Sequence, residues 1–310
     1  MTTTTAPARS ETKAATSDRS RAENRLGQKL VAPAIILMLL VTAFPMLRAI
    51  WLSVYNYSLT APDERDFVGL SNYITALTDP LFWQTTGITV FYMVVTVAVE
   101  LVIGFAFAMV MHRIIFGRGV VRTSILIPYG IITVVSGFAW QFAFSYQNGF
   151  VNGWLPGIDA DYNWFGQTGS AVIAICVSEI WKTTPFMSLL LLAGLAQVSE
   201  DMIEAAKVDG ATWFQRLYKV ILPNMKAAIM VAVLFRALDA YRIFDNIFVM
   251  TNGAEKTESI SFLTYRQTIE QFQLGMGSAL SVLLFLSVLL IAYLIVKVFR
   301  VDLAQARQES

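Results

Sequence analysis

The sequence predicts an all-α integral membrane protein of six transmembrane helices, with both ends of the chain on the cytoplasmic side. Three observations carry this expectation. The 310 residues are 56% hydrophobic and 15% charged, with a mean hydropathy of +0.58, whereas soluble domains are about 45–50% apolar and about 25% charged. Six stretches reach the roughly 20 mostly apolar residues that a helix needs to cross hydrocarbon without leaving backbone groups unpaired. Lysine and arginine outside those stretches divide sixteen against three between the two sides of the topology, and the basic side is the cytoplasmic one.

Residues 1–29 are rich in Thr, Ala and Ser, carry mixed charge and lack a hydrophobic stripe. They read as a disordered cytoplasmic tail. The first span runs from about Leu30 to Leu52. It is too long for a signal-peptide core and no small-residue cleavage site ends it, so it stays as a span. The second, about Phe82–Met111, is interrupted only by Glu100. The third is about Thr123–Phe144, where Pro128 is expected to bend the helix. The fourth, about Ser170–Leu195, carries Glu179, Lys182 and Pro185. The fifth, about Ala227–Met250, is the weakest because it holds four charges. The sixth, Gln271–Val296, is uncharged. Residues 30–300 form the membrane domain and 301–310 a cytoplasmic C-terminal tail.

The basic side collects Arg9, Lys13, Arg19, Arg21, Arg25 and Lys29 before the first span, then Arg113, Arg118 and Arg122. Lys207, Arg216, Lys219 and Lys226 follow, with Lys297, Arg300 and Arg307 at the end. The opposite side holds Arg65, Lys256 and Arg266. Six spans require both ends on one side, and the split agrees.

Composition also excludes chemistry. A net charge of +1 gives no field that favours nucleic acid. One cysteine, Cys176, and one histidine, His112, leave no disulfide, no cysteine metal site and no H-E-x-x-H pair. They read as a packing and an interfacial residue. No G-x-x-x-x-G-K-[ST] phosphate loop and no G-x-S-x-G elbow occur. The chain is therefore expected to be no enzyme, with no catalytic residue, metal or cofactor of its own. Energy for any transport comes from an ion gradient or from another subunit.

The most informative segment is residues 199–223, between the fourth and fifth spans. It reads as two short helices with a bend. Ser199 is placed to cap the first, with Glu200 and Asp201 at its positive end. Gly210 suits the left-handed position that closes a helix. Thr212 and Gln215 form a T-x-x-Q capping box for the second. That helix sets Trp213, Phe214, Leu217, Tyr218 and Ile221 on one stripe, and Pro223 bends or ends it. An interfacial helix resting on lipid explains the stripe but not Glu204-Ala205-Ala206 followed by Gly210 and a terminal Leu222-Pro223. Two alanines beside a carboxylate present a narrow surface to another protein.

This segment resembles the EAA signature, E-A-A-x3-G-x9-I-x-L-P, of permease subunits of binding-protein-dependent ABC importers. Glu204, Ala205, Ala206, Gly210, Leu222 and Pro223 match in register, and Val220 stands where the family has isoleucine. The likeness extends over most of the chain: Phe44-Pro45, Phe67 to Tyr73, Asp79-Pro80, Arg122 through Pro128 to Trp140, Gly149 and Asn152 are similar to the sugar-importer branch. Within it the chain is most similar to the first permease of disaccharide importers, including the trehalose importers of actinobacteria. The resemblance implies the type I importer permease fold in the cell membrane, with these six residues coupling to a separate ATPase pair that uses ATP and Mg. It also implies a second, different permease, an extracytoplasmic sugar-binding protein or lipoprotein, and a sugar such as trehalose.

The intramembrane charges are expensive unless they face protein or water. Arg236, Asp239, Arg242 and Asp245 alternate in sign at i, i+3 steps, as do Glu179 and Lys182, so neighbours are placed to pair. Each such step drifts by about 60°, which makes the first four a spiral. Either they are ion pairs that hold the two permeases in register, or they line a water-filled path and bond sugar hydroxyls. Trp181, Tyr241 and Asn246 adjoin them, and an aromatic face beside polar groups suits a neutral sugar. The substrate-path set is therefore Glu179, Trp181, Lys182, Arg236, Asp239, Tyr241, Arg242, Asp245 and Asn246. Two competing readings are a membrane transferase, which needs a carboxylate or histidine cluster near the headgroups, and a stand-alone ion-coupled carrier, which has no use for a coupling loop.

Overall fold

The computed structural model describes residues 11–114 and 116–299. The chain divides into two units, residues 1–52 and 53–310. In the first, α1 (Glu11–Met38) passes through a π-helical turn at Leu39–Ala43 into α2 (Phe44–Leu52). Its Arg25–Leu52 portion is apolar and long enough to cross a membrane. The helix begins well before the expected span, so residues 11–29 are helical rather than structureless. The physical reason is local. Ala, Glu, Lys and Arg are good helix formers, and growing an existing helix avoids the cost of nucleating one. Residues 1–10 of the expected tail, and all of 301–310, lie outside the described residues.

The second unit opens with an antiparallel hairpin, β1 (Tyr55–Tyr57) against β2 (Arg65–Phe67), in which Tyr55 faces Phe67. It leads into α3 (Ser71–Thr78) and α4 (Pro80–Arg113). Several residues of the family-like stretches are structural fasteners here. Asn72 donates to the carbonyls of Ser53 and Tyr55 at 2.8 and 2.9 Å. Asp79 caps α4 by accepting from the Leu81 N–H at 2.8 Å, with Pro80 at the first helical position, where its missing N–H costs nothing.

Next come α5 (Arg118–Gly130) and α6 (Thr133–Ala143), bent by 89° against each other, and the short α7 (Val151–Trp154). The expected third span is thus two half-helices. Pro128 removes a helical N–H, and the Ile131 N–H reaches back only to the Pro128 carbonyl at 3.3 Å before the chain turns extended at Ile131 and Ile132. Asn152 then ties its loop together. Its amide nitrogen donates to the Ala160 and Tyr162 carbonyls, both at 3.0 Å, and its oxygen accepts from the Trp164 indole at 2.6 Å.

The long α8 (Thr168–Leu195) is followed by α9 (Glu200–Val208), α10 (Trp213–Arg216), a π-helical turn at Leu217–Ile221 and α11 (Leu222–Asn224). The chain continues as α12 (Lys226–Ala240), α13 (Asp245–Met250), α14 (Ile260–Tyr265) and α15 (Leu274–Phe299). The expected fifth span, Ala227–Met250, is interrupted by a turn at 241–244, where the Ile243 carbonyl accepts from the Ser259 hydroxyl at 2.7 Å instead of continuing a helix. Among the described residues four helices are long and apolar enough to span a membrane, and six spans result when each of the two bent helix pairs counts as one.

The core is centred on α8. Of its most apolar window 61% is buried, against 28% for α4 and 11% for α15. Met187 and Leu191 from α8 pack with Val97 and Ala108 from α4 and Ala232 from α12. Gly194 lets α12 approach closely, because a Cβ there would lie 2.3 Å from that of Ala228. In a bilayer, where lipid competes for apolar surface, such close backbone contact is a main source of helix association. Cys176 is buried in the neighbouring cluster with Tyr92 and Ile175, as expected of a packing residue.

Candidate functional site: an elbow and a charged cavity

The elbow between α8 and α12 is held almost wholly by its own backbone. At the end of α9 the Ala211 N–H bonds the Ala206 carbonyl at 2.9 Å and the Gly210 N–H bonds that of Lys207 at 3.0 Å. This is a Schellman closure, and Gly210 takes the left-handed conformation it demands, φ +80°. The capping box at the start of α10 is fully formed. The Thr212 N–H donates to Gln215 Oε1 at 2.7 Å, and the Gln215 N–H donates to Thr212 Oγ1 at 3.4 Å. Two expectations fail in detail. Ser199 stands at the N-cap but its side chain makes no capping bond. The aromatic stripe is split: Phe214 and Tyr218 are each 67% exposed, while Trp213, Leu217 and Ile221 are half-buried.

Glu204, Ala205 and Pro223 are exposed, and Ala206 and Leu222 half-buried. A cleft of 620 Å³ runs beside Glu204, lined also by His112, Arg113, Arg118 and Trp213. Beyond Pro223 the chain turns by 71° at Met225, so the helical run Trp213–Asn224 feeds directly into α12.

On α12 stands Arg236, fully buried, at the hub of a polar cluster. Its Nε donates to Glu100 Oε2 at 2.6 Å, and its Nη2 to Glu100 Oε1 at 2.9 Å, Thr183 Oγ1 at 3.1 Å and Glu179 Oε1 at 3.4 Å. Its Nη1 bonds Asp239. Glu179 also accepts from the Asn246 amide at 2.7 Å. A buried charge is tolerated when it is paired and its hydrogen-bonding capacity is filled. The planar fork of arginine suits that task, since it serves several carboxylate oxygens in one plane. The cluster thereby ties α4, α8, α12 and α13 together.

Beside the hub lies a cavity of 490 Å³ lined by Tyr129, Thr133, Glu179, Lys182, Thr183, Asp239, Arg242, Ile243, Phe244, Asp245 and Asn246. Lys182 does not pair with Glu179. Its ammonium donates to the carbonyls of Ile131 and Tyr129, the open end of the broken span three. The four charges of the fifth span do not form an unbroken chain of pairs either. Of the three i, i+3 steps among these four charges only Arg236 with Asp239 is an ion pair, because the helix ends at Ala240 and Arg242 bonds the Leu238 carbonyl at 3.2 Å.

Of the nine substrate-path residues, six line this cavity and Arg236 lies buried beside Glu179 and Asp239. The other two lie elsewhere. Tyr241 is 1% exposed and packs among Phe82, Leu263 and Leu280. Trp181 stacks edge-on against Trp140 with ring centres 5.7 Å apart and borders a separate apolar groove with Pro128 and Pro185. The site set drawn from the sequence omitted Glu100 and Thr183. Glu100 is the sole charge of its span, which was the available signal; nothing in the sequence singles out Thr183.

Sequence comparison matches residues 30–305 to the family of binding-protein-dependent transport system inner membrane components. The trehalose transport system permease protein SugA of Mycobacterium tuberculosis (strain ATCC 25618 / H37Rv) is 49% identical over 278 residues, 90% of each chain. The trehalose/maltose transport system permease protein MalF of Thermococcus litoralis is 38% identical over 286 residues, covering 90% of this chain and 96% of that one. The fold is also that of a solved bacterial alginate ABC transporter in complex with an alginate pentasaccharide-bound periplasmic protein, with a TM-score of 0.74 at 20% identity over 89% of this chain and 94% of that one. Spans, elbow and sequence agree: the chain belongs to the inner membrane components of binding-protein-dependent transport systems.

Proposed function

We propose that the chain is one of two permeases of an ATP-driven importer of a neutral disaccharide, trehalose being the sugar its relatives favour. An extracytoplasmic binding protein or lipoprotein delivers the sugar, and a separate ATPase pair on the cytoplasmic side binds the elbow. Closure of the ATPases shifts the elbow, and the rigid run through Pro223 carries that shift into α12. Because α12 bears Arg236 and Asp239, the cavity wall moves with it, which suits a cavity on the sugar's path.

The observation that carries this reading is the elbow itself, a doubly capped turn that holds Glu204 and Ala205 exposed. Glu204 is the polar contact to the ATPase, and Ala205, Ala206 and Gly210 permit close approach. Losing one member of a desolvated charge pair at an interface costs about 2–5 kcal/mol, so Glu204→Lys uncouples the importer. The test is capture of the tagged chain from mildly solubilised membranes. The wild type brings down a phosphate-loop ATPase and a second permease with an EAA loop, and Glu204→Lys loses the ATPase while the permease pair remains. A wild-type chain recovered alone that transports in liposomes without ATP overturns the reading in favour of an ion-coupled carrier.

A further inference from the structure

The cavity beside the hub presents its charges unevenly. Lys182 lines it, yet its ammonium is engaged by the Tyr129 and Ile131 carbonyls. Glu179 is 9% exposed, with one oxygen facing Arg236 and the other holding Asn246. Asp239 differs from both. Its side chain is 64% exposed, Arg236 grips its Oδ2 from the buried side, and its Oδ1 has no protein partner among the described residues. Asp245 lines the same cavity and forms no ion pair among the described residues. The one arginine of the lining, Arg242, is exposed, and its Nε donates to the Leu238 carbonyl of α12. Behind the wall, Glu100, Glu179 and Asp239 share the guanidinium of Arg236; with Asp245, Lys182 and Arg242 of the lining the group holds four carboxylates against three cations, so one negative charge is in excess.

We infer that Asp239 is a specificity-determining residue: its free oxygen accepts a hydrogen bond from a hydroxyl of a neutral sugar, and its charge, reinforced by Asp245, turns away sugars that carry a carboxylate, sulfonate or phosphate. The inference rests on the reading above that the cavity lies on the sugar's path. An ionised carboxylate only accepts hydrogen bonds, and bonds from hydroxyls to an ionised acceptor are stronger than neutral ones. Held at one oxygen by a buried arginine, Asp239 offers the other in a fixed direction, which favours binding because little freedom is lost. A like charge brought into the same low-dielectric cavity meets repulsion that water does not screen away.

The test uses the complex captured with the tagged chain, free of binding protein, and saturation-transfer NMR with two probes, trehalose and its mono-uronic acid. In the wild type the trehalose signal exceeds that of the uronic acid by about tenfold or more, because like charges across a site disfavour the wrong ligand. Asp239→Asn weakens the trehalose signal, as a neutral acceptor bonds less strongly, and narrows that ratio to about threefold or less; Asp239→Glu restores it, with the yield of assembled complex as the check on folding. Equal signals from the two probes in the wild type, or an unchanged ratio in Asp239→Asn, overturn the inference. Thr133→Phe, which narrows the cavity, separates the two levels. If it leaves the trehalose signal intact, the cavity is not on the path and the reading beneath the inference falls. If it abolishes that signal while Asp239→Asn still discriminates, only the charge filter falls.

Discussion

The elbow and the charge hub are neighbours in the chain, joined through the bend at Met225, yet they are held together by opposite means. Every capping bond of the elbow reaches five residues or fewer, as from Ala211 to Ala206. The hub joins Arg236 to Glu100, 136 residues away, and to Thr183 and Glu179, 53 and 57 away. The elbow is solvated and its charges lack ion-pair partners within the described residues, whereas Arg236 and Glu100 at the centre of the hub are fully buried and paired with each other. The surface proposed to receive another protein is built by local geometry that leaves side chains free. A junction between membrane helices needs partners from several helices at once.

The sharpest way to break this comparison is Arg236→Met. Removing the guanidinium leaves Glu100 buried and uncompensated, and breaking a buried pair from one side costs about 3–5 kcal/mol. The folded yield and the melting temperature in detergent fall sharply. Adding Glu100→Gln recovers a large part of the loss, since the orphaned charge is then gone. A variant as stable as the wild type shows that the hub is not what joins these helices.

Smaller effects are expected in the elbow, and they stay local. Gly210→Ala places a Cβ at φ +80°, at a cost of about 1–2 kcal/mol, and Thr212→Ala removes half of the capping box, costing about 1 kcal/mol. Hydrogen exchange of residues 200–224 accelerates in both, while the melting temperature of the membrane core is unchanged. A fall in core stability contradicts the division drawn here.

A third pair lies between these extremes and gives the smallest effect. Glu258 is buried 2.9 Å from Arg266, eight positions along the chain. Burial raises its carboxyl above the usual range, and Arg266 pulls the other way without cancelling that. The folded chain then keeps this proton at pH values where the unfolded chain has lost it. Its stabilising contribution is full below the ordinary carboxylate range of about 4.3 and declines as pH rises through the raised value. Protection of the segment 251–270 against exchange, corrected for intrinsic rates, decreases from pH 4 upward, and Glu258→Gln removes the dependence. An increase with pH reverses the assignment and makes the ion pair the dominant influence.

How much was legible follows the same division. The hydrophobic runs were read to within a few residues, though not the breaks in spans three and five, and the elbow's Gly210, Thr212 and Gln215 were read in place, because these signals act within a few positions of themselves. The i, i+3 arithmetic found Arg236 with Asp239 but mispaired Glu179 with Lys182. Proximity along a helix permits a pair; it does not forbid a better partner on another helix. Trp181 and Tyr241 were grouped with the charges by adjacency in sequence, although successive helical residues face different directions, and the structure turns both away.

By itself, then, the sequence determined that this chain spans a membrane, where its helices run, and that an exposed, capped elbow precedes the fifth span. Those features follow from composition and from forces that act over a turn or two of chain. Only the tertiary structure decided that span three breaks at Ile131 with Lys182 at its open end, that Glu100 answers Arg236, and that Asp239, gripped by Arg236 at one oxygen, keeps the other free. Each of these depends on which distant groups meet when helices pack. In a low-dielectric interior a buried charge takes whichever partner the packing brings within reach.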